Sequence, residues 1–173
     1  MRQRVLLILG IALLAAMPWA PARAAERPVA VFDFELIDTS LEGELKGQRA
    51  DEQARLARAG EQLRSGLAAS GLFRVVDIAP VAAQARNSNL QACGGCDAKL
   101  AKQVGAELAI TGTVQKVSNL ILNFTVYVRD ANTGNPIAAM NADFRGNTDE
   151  SWTRALGWLI RNRLLAPGYG VVP

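Results

Sequence analysis

The chain has 173 residues, half of them apolar, with 19 Lys and Arg, 16 Asp and Glu, two Cys and no His. The absence of histidine excludes a Ser-His-Asp triad, a histidine general base, an HExxH zinc helix and a histidine-ligated haem or copper. The length predicts a single domain, and the formal net charge of +3 raises the question of a polyanionic partner.

The first 24 residues have the pattern of a secretory signal peptide. Arg2 and Arg4 precede an apolar run over Val5–Met17, and Ala22 and Ala24 supply small residues before a cleavage site that follows Ala24. A transmembrane helix requires about 20 apolar residues, and this apolar run is shorter. The sequence therefore favours a cleaved signal peptide over an uncleaved amino-terminal anchor.

Cleavage would leave a single α/β domain, residues 25–173, in the periplasm or beyond, with no later apolar stretch long enough to span a membrane. The removed segment contains three basic residues and no acidic one, so the 149 residues that remain carry 16 of each sign. The sequence pI of about 9.2 therefore belongs to the precursor. No basic run or aromatic-basic interleaving points to nucleic acid as a partner.

Apolar periodicity predicts the elements of the amino-terminal half. In the first strand Phe32 and Phe34 share one side, whereas Asp33 and Glu35 share the other. In chain order the predicted elements are a strand over 28–36, a polar loop over 38–49, an amphipathic helix over 50–70, a strand over 72–77, a helical turn over 80–86, a loop over 87–96 and a helix over 97–105.

The carboxy-terminal half alternates more strictly and predicts a hairpin over 108–115 and 120–129. Lys116 falls on the side of Ile110 and Val114, so we expect this strand to have left the core by then, with the turn over 117–119. A third strand over 136–144 and a helix capped by Thr148 follow. The order predicts an α/β (α+β) two-layer sandwich, a mixed sheet with a three-strand antiparallel meander and helices packed on one face.

Cys93-Gly94-Gly95-Cys96 is the most specific local motif. In an oxidising compartment this spacing favours a structural disulfide between Cys93 and Cys96 at the start of a helix. A thiol-disulfide redox pair is the alternative, because a helix amino terminus lowers the pKa of a thiol. Two thiols are too few for structural zinc, and covalent haem requires His where Asp97 stands.

Two further groups are candidate sites. Asp33, Glu35 and Asp38 crowd the end of the first strand, where they predict a cation or partner site or simply solvated charges. Trp158 and the polar sheet face with Tyr127 and Arg129 are candidates for a partner surface, with ordinary packing as the alternative.

The mature chain resembles the amino-terminal domain of the Tol-system protein TolB and the periplasmic domain of the curli secretion protein CsgG. The resemblance rests on Val29–Phe34, Ser70–Phe73, Val75–Asp77, Gly105–Ala106, Ile110–Val114 and Val128–Asp130 ahead of Gly134. It implies the fold. The chain has neither TolB's propeller nor the lipid-anchored cysteine of CsgG, so the resemblance implies neither Tol-system docking nor pore formation.

A second set of motifs is similar to an uncharacterised family of secreted proteobacterial proteins, a domain of unknown function. It consists of Val31–Leu36, the two cysteines, Lys116–Leu122, and Gly146 and Asn147 ahead of Asp149 and Trp152. The resemblance implies export and an association with periplasmic quinoprotein alcohol dehydrogenases.

These observations favour a non-catalytic secreted or periplasmic binding or accessory module without a cofactor. Its expected partner is a periplasmic protein, in a quinoprotein dehydrogenase system or another envelope complex. A redox protein using Cys93 and Cys96 and a cation-binding protein using Asp33, Glu35 and Asp38 are the alternatives.

Overall fold

The computed structural model describes residues 25–172, and the predicted signal peptide over residues 1–24 lies outside the described residues. The strands are β1 (Arg27–Asp38), β2 (Phe73–Val75), β3 (Leu108–Lys116), β4 (Ile121–Asp130) and β5 (Pro136–Arg145). The helices are α1 (Leu41–Lys46), α2 (Ala50–Ala69), α3 (Ala82–Arg86), α4 (Cys96–Gln103) and α5 (Asp149–Leu159), with a 3-10 turn at Ala79–Val81 and a π-helical turn at Ile160–Leu164.

The sheet has the strand order β2-β1-β3-β4-β5. β1 runs parallel to both of its neighbours, whereas β3, β4 and β5 form an antiparallel meander. This arrangement confirms the predicted fold class, a mixed sheet that combines parallel pairing with a three-strand meander. Within residues 25–172 no helix has both the length and the apolar character that crossing a bilayer requires.

The two long helices pack on the same face of the sheet and enclose the larger core. Leu56, Leu63 and Leu67 of α2 are buried there, as their helical spacing predicts, together with Trp152 and Leu156 of α5. The opposite face carries a second, smaller core, which α4 and the segment from Val76 to Leu90 cover. The prediction that helices lie on one face is therefore correct for α2 and α5 and is corrected for α4.

A β-bulge in β1 changes which side chains share a face. Val31 pairs with Ile110 and Phe34 pairs with Gly112, so two residues of β1 oppose one of β3. As a result Phe34 joins the larger core and Phe32 the smaller one. The prediction that these two rings share a side is wrong because simple alternation does not include the extra residue.

The predicted polar loop over 38–49 contains the short helix α1. The hydroxyl of Ser40 accepts a hydrogen bond from the N–H of Gly43 at 3.1 Å and caps this helix. Leu41 and Leu45 lie on α1 with 70% and 75% of their surface exposed. At the other end of the chain Thr148 caps α5, as predicted, in a reciprocal arrangement with Ser151.

Candidate functional site

Cys93 and Cys96 form a disulfide in the loop that precedes α4, as the sequence predicts. Their Cα atoms lie 5.7 Å apart, and the N–H of Cys96 points at Cys93 Sγ at 3.2 Å. Gly95 precedes the helix with a φ of 99°, a conformation that glycine adopts without strain. The bond therefore closes a tight loop at the amino terminus of α4.

The three carboxylates at the end of β1 do not meet, which corrects their prediction as one site. Asp33 lies at the bulge and forms an ion pair with Arg64 of α2. Glu35 is on the opposite face of the sheet, beside Leu90, and Asp38 contacts Lys116. Within residues 25–172 no group of three or more His, Cys, Asp or Glu side chains is arranged so that it could hold a metal ion.

Glu35 lines a cleft of about 430 Å³ between β1 and the segment after α3. Burial raises the pKa of Glu35, and a backbone hydrogen bond from Leu90 opposes the rise only in part. Glu35 thus retains a proton to higher pH than an exposed glutamate.

The predicted partner surface of Tyr127, Arg129 and Trp158 is also separated by the fold. Arg129 Nε contacts Asp97 Oδ2 at 3.0 Å, so its charge is used inside the protein, against a carboxylate that is only 3% exposed. Tyr127 remains exposed on the same sheet face. Trp158 lies on α5, behind the other face, which excludes one continuous surface built from all three.

Lys116 is the centre of a buried ion network at the carboxyl end of β1 and β3. Its side chain is 1% exposed, which corrects the expectation that the strand has left the core at this residue. Lys116 Nζ donates to Glu52 Oε1 at 2.7 Å, to Asp38 Oδ2 at 3.1 Å and to Glu42 Oε2 at 3.4 Å. The three donors of the ammonium are thus all directed at carboxylates.

Neutral side chains complete this ion network. Asn147 Nδ2 donates to Glu52 Oε1 at 2.7 Å and to Asn119 Oδ1 at 3.0 Å. Trp152 Nε1 donates to Asn147 Oδ1 at 2.9 Å, and Asn119 Nδ2 donates to Glu42 Oε2 at 2.8 Å. The ion network therefore joins β3, the β3–β4 turn, α1, α2 and the start of α5.

The charges in the ion network stabilise one another. Burial alone would lower the pKa of Lys116, but hydrogen bonds from its ammonium to Glu52 and Asp38 raise it overall. Burial alone would raise the pKa of Asp38, but hydrogen bonds from Ser40 and Lys116 lower it overall. A lysine that binds its proton more firmly than usual is a poor general base. The ion network thus acts as a structural element.

An apolar surface surrounds this end of the sheet. We call it the apolar rim and define it as Ile37, Leu41, Leu45, Val117, Leu120 and Ile121. These side chains are 45% to 75% exposed, and they make up six of the eight large apolar side chains that are exposed within residues 25–172. Because Glu42 contacts both Lys116 and Asn119, the ion network holds α1 against the β3–β4 turn.

Sequence reasoning missed both the ion network and the apolar rim, although each has a signal. Glu52 lies one turn before Leu56 on the apolar stripe of α2, and Lys116 continues the apolar stripe of β3. A negative and a positive side chain, each on the buried side of its element, indicate a buried ion pair. The signal for the apolar rim is the pair Leu41 and Leu45, which are four residues apart in a segment whose glycines and charges otherwise predict a solvated loop.

The family model DUF3280, described as "Protein of unknown function (DUF2380)", matches residues 27–164. The chain belongs to the DUF3280 family. This result confirms the predicted resemblance to a family of unknown function, whereas the more specific likeness to TolB and CsgG is not confirmed and stays a prediction. A search of curated proteins finds no significant match.

Three solved structures illustrate the similarity of this DUF3280 chain to other proteins. The LpoB C-terminal domain from Salmonella enterica has 19% identity and a TM-score of 0.49, and the match covers 72% of this chain and 86% of that chain. The PelC dodecamer from Paraburkholderia phytofirmans has 14% identity and a TM-score of 0.47, and the match covers 81% of this chain and 90% of that chain. Lipoprotein GNA1162 from Neisseria meningitidis has 18% identity and a TM-score of 0.43, and the match covers 78% of this chain and 91% of that chain. Similarity at this level supports no conclusion about function.

The ion network unites residues that the family resemblance singled out separately. Lys116 and Asn119 belong to the motif over Lys116–Leu122, whereas Asn147 and Trp152 belong to the motif that begins at Gly146. Lys116 and Asn147 are 31 residues apart in the sequence. Asn147 bridges the two motifs through its hydrogen bonds to Asn119 and Trp152. In this DUF3280 chain the motifs therefore describe one structural unit, the support of the apolar rim.

Proposed function

We propose that this protein is a non-catalytic accessory module of the bacterial envelope that binds another protein through the apolar rim. The observation that carries the proposal is the concentration of exposed apolar side chains at one end of the sheet. Large apolar side chains exposed close together on a protein surface commonly mark an interaction site.

The chemistry beneath the rim supports binding rather than turnover. Beneath it, the buried ammonium of Lys116 already contacts the carboxylates of Asp38 and Glu42. With these buried ionic groups satisfied internally, this end of the molecule recognises a partner by apolar complementarity. A surface held by buried hydrogen bonds also loses little conformational entropy on binding.

The same proposal places the protein in the periplasm. The amino-terminal sequence has the features of an export signal, and the Cys93–Cys96 disulfide is typical of an oxidising compartment. With equal numbers of acidic and basic residues after cleavage, the domain has no net attraction to polyanions. A quinoprotein dehydrogenase as the specific partner stays a prediction from the family resemblance.

Site-specific photo-crosslinking in the native host tests the binding role. A photoreactive amino acid is placed at Leu41, Leu45 or Leu120 in turn, and at the exposed Lys99 of α4 as a control. We expect the three rim positions to crosslink to one and the same protein and Lys99 to leave it unlabelled. Equal labelling from all four positions, or none from the rim, would contradict the proposal.

Charge introduced into the rim provides the second arm of this test. Leu45→Asp and Leu120→Asp should abolish the crosslink made from Leu41 without lowering the free energy of unfolding by more than about 0.5 kcal/mol, because both side chains are exposed. An unchanged crosslink in these variants would show that the apolar character of the rim does not matter.

A thiol-disulfide redox role is the second candidate. The observation in its favour is that Cys93 is exposed and that Cys96 begins α4, where the helix dipole stabilises a thiolate. Equilibration with glutathione measures the reduction potential. A reduction potential below about −300 mV, with no reduction of insulin, indicates a structural disulfide. A reduction potential of about −200 mV, with thiol-disulfide exchange activity, indicates a redox role.

A further inference from the structure

One edge of the sheet is long and open. β5 is the last strand in the sheet order and has 10 residues, whereas β2 at the opposite edge has three. Natural edge strands are commonly protected by proline, lysine or a bulge. β5 has a proline and a bulge only at its beginning, at Pro136 and at the register shift before Ala138. From Ala138 to Arg145 the strand has no proline and no lysine, and its register with β4 is continuous.

The hydrogen-bond pattern identifies the free backbone groups of this edge. The N–H of Gly146 donates to the carbonyl of Leu120 at 3.1 Å, so these two residues form a hydrogen-bonded pair. In an antiparallel ladder such pairs recur at every second residue. The backbone groups of Ala142 and Phe144 therefore face β4, and those of Asn141, Asp143 and Arg145 face outward.

A groove of about 630 Å³ runs between β5 and α5 beside these free groups. Its apolar lining includes Ala142, Phe144, Ala155 and Trp158, and Arg145 and Arg161 lie at its borders. Arg154, which also lines the groove, pairs with Glu150 at 3.0 Å. Asp143 also lines the groove and accepts a hydrogen bond from Asn123 at 2.7 Å. In the part of the chain that the structure describes, no ion pair involves Arg145 or Arg161, so three arginines and two carboxylates leave the groove with one net positive charge.

Trp158 is a preorganised anchor at this groove. Its ring is 42% exposed, and the guanidinium of Arg163 lies 5.3 Å from its centroid and 5.2 Å from that of Tyr169. A guanidinium within about 6 Å of a ring centroid is attracted to the ring, so Arg163 links Trp158 to Tyr169 and limits the movement of the indole. Exposed, restrained tryptophan beside arginine is typical of the residues that dominate binding energy.

We propose that the β5 edge and this groove bind an extended acidic segment of a partner protein as a sixth strand of the sheet. The backbone of the segment would pair with Asn141, Asp143 and Arg145, and its alternate apolar side chains would enter the groove against Ala155 and Trp158. Glutamate or aspartate side chains would contact Arg145 and Arg161. The inference rests on the proposed binding role but uses no side chain of the apolar rim.

The test uses the processed protein, residues 25–173, and a synthetic peptide of about ten residues that alternates valine and glutamate. Binding is followed by fluorescence anisotropy and by the backbone amide NMR signals of the labelled protein. We expect the signals of Asn141, Asp143 and Arg145 to shift during the titration. A matched peptide with lysine in place of glutamate should bind at least about tenfold more weakly.

Two matched variants separate strand addition from other binding modes. Asn141→Pro removes an outward N–H and leaves the β4 ladder intact, whereas Asn141→Ala keeps that donor. We expect Asn141→Pro to abolish peptide binding and Asn141→Ala to preserve it, with both variants folded by circular dichroism. Trp158→Ala and the Arg145→Glu, Arg161→Glu double variant should each weaken binding about tenfold or more.

Three outcomes would overturn the inference. The first is no saturable binding of the valine-glutamate peptide, and the second is equal binding to the Asn141→Pro and Asn141→Ala proteins. The third is a concentration-dependent dimer of the peptide-free protein that Asn141→Pro dissociates, which would assign the edge to a second copy of the chain. None of these outcomes changes the result of the crosslinking test of the apolar rim. A failure of this inference can therefore be distinguished from a failure of the proposed function.

Discussion

At the scale of single residues, the most informative feature is a lysine among carboxylates in the interior. Lys116 and Glu52 are 1% and 0% exposed, so neither side chain has water as an alternative partner. Removal of one member of a buried pair leaves the other charge uncompensated, which is much more costly than loss of an exposed pair. Glu52 Oε2 already lacks a hydrogen-bond partner among the described residues, which makes Glu52 especially sensitive.

We therefore expect Lys116→Met to lower the free energy of unfolding by about 3–5 kcal/mol, as measured by urea denaturation. Glu52→Gln in the Lys116→Met background should restore part of this loss because it removes the unpaired charge. Arg154→Ala, which breaks an exposed pair, is the control and should change stability little. A loss below about 1 kcal/mol for Lys116→Met would show that the lysine is not buried as described.

Asp38 and Glu35 should respond to pH in opposite directions. The net lowering of the Asp38 pKa below 3.8 means that its stabilising contribution is present near neutral pH and is lost as the pH falls through the lowered value. Burial raises the pKa of Glu35 above 4.5, so the contribution of Glu35 is present below 4.5 and is lost as the pH rises through the raised value.

Substitution separates these two contributions. Near neutral pH, Asp38→Asn should destabilise the protein and Glu35→Gln should stabilise it, and both effects should shrink in acid as the carboxyl groups bind protons. Urea denaturation over a series of pH values measures both effects. Effects of the same sign for the two variants would contradict the assigned pKa directions.

At the scale of elements, the bulge in β1 determines how the central strands pack. It directs the ring of Phe34 across β3 at Gly112, where a Cβ atom would overlap the ring. Phe34 also meets Phe124 edge to face, with ring centroids 5.5 Å apart. Glycine at position 112 is thus required by the close approach of an aromatic ring and not by a special backbone conformation.

Gly112→Ala is expected to destabilise the protein by about 1–3 kcal/mol because the added methyl group displaces the ring of Phe34. Adding Phe34→Leu should reduce the cost of Gly112→Ala, since a smaller side chain leaves space for the methyl group. A double-mutant cycle measured by thermal unfolding gives this coupling. Strictly additive effects would show that the two side chains do not compete for space.

The elements show where sequence reasoning succeeds and where it ends. The stripes of α2 and α5 and the alternation of β3 and β4 are local periodic signals, and the structure confirms them. The positions of Phe34, Glu35 and Asp33 depend on one extra residue in β1 that the alternating pattern conceals. Lys116 has its partners at positions 38, 42 and 52. The parallel register of β1 and β3 places Asp38 opposite Lys116, and the packing of α1 and α2 brings Glu42 and Glu52 to it, so no local pattern reveals these contacts.

At the scale of the whole molecule, the net charge is distributed unevenly along the chain. All the excess positive charge of the sequence lies in residues 1–24. Residues 25–173, which the predicted cleavage would leave, carry 16 basic and 16 acidic residues, so their electrostatics depend on local groups such as Arg145 and Arg161 and not on a global field.

We expect the protein recovered from the periplasm to begin at Ala25 and to focus near neutral pH, far below the precursor's sequence pI of about 9.2. Intact-mass analysis and isoelectric focusing check both statements. Ala24→Arg, which removes the small residue before the cleavage site, should block processing and retain the basic precursor. A basic, unprocessed protein in the wild type would refute the predicted signal peptide.

The position of β1 in the sheet also determines the order in which the chain can fold. β1 is the first strand to be synthesised, yet β3, with which it shares eight register pairs, begins only at Leu108. Native contacts between segments so distant along the chain make folding slow. Until Leu108–Lys116 becomes available, the apolar sequence Val29–Phe34 has only the three-residue β2 as a partner in the sheet. We therefore expect this apolar strand to lack its main partner in a nascent chain until Lys116 has been synthesised, which favours association with a holding chaperone up to that point.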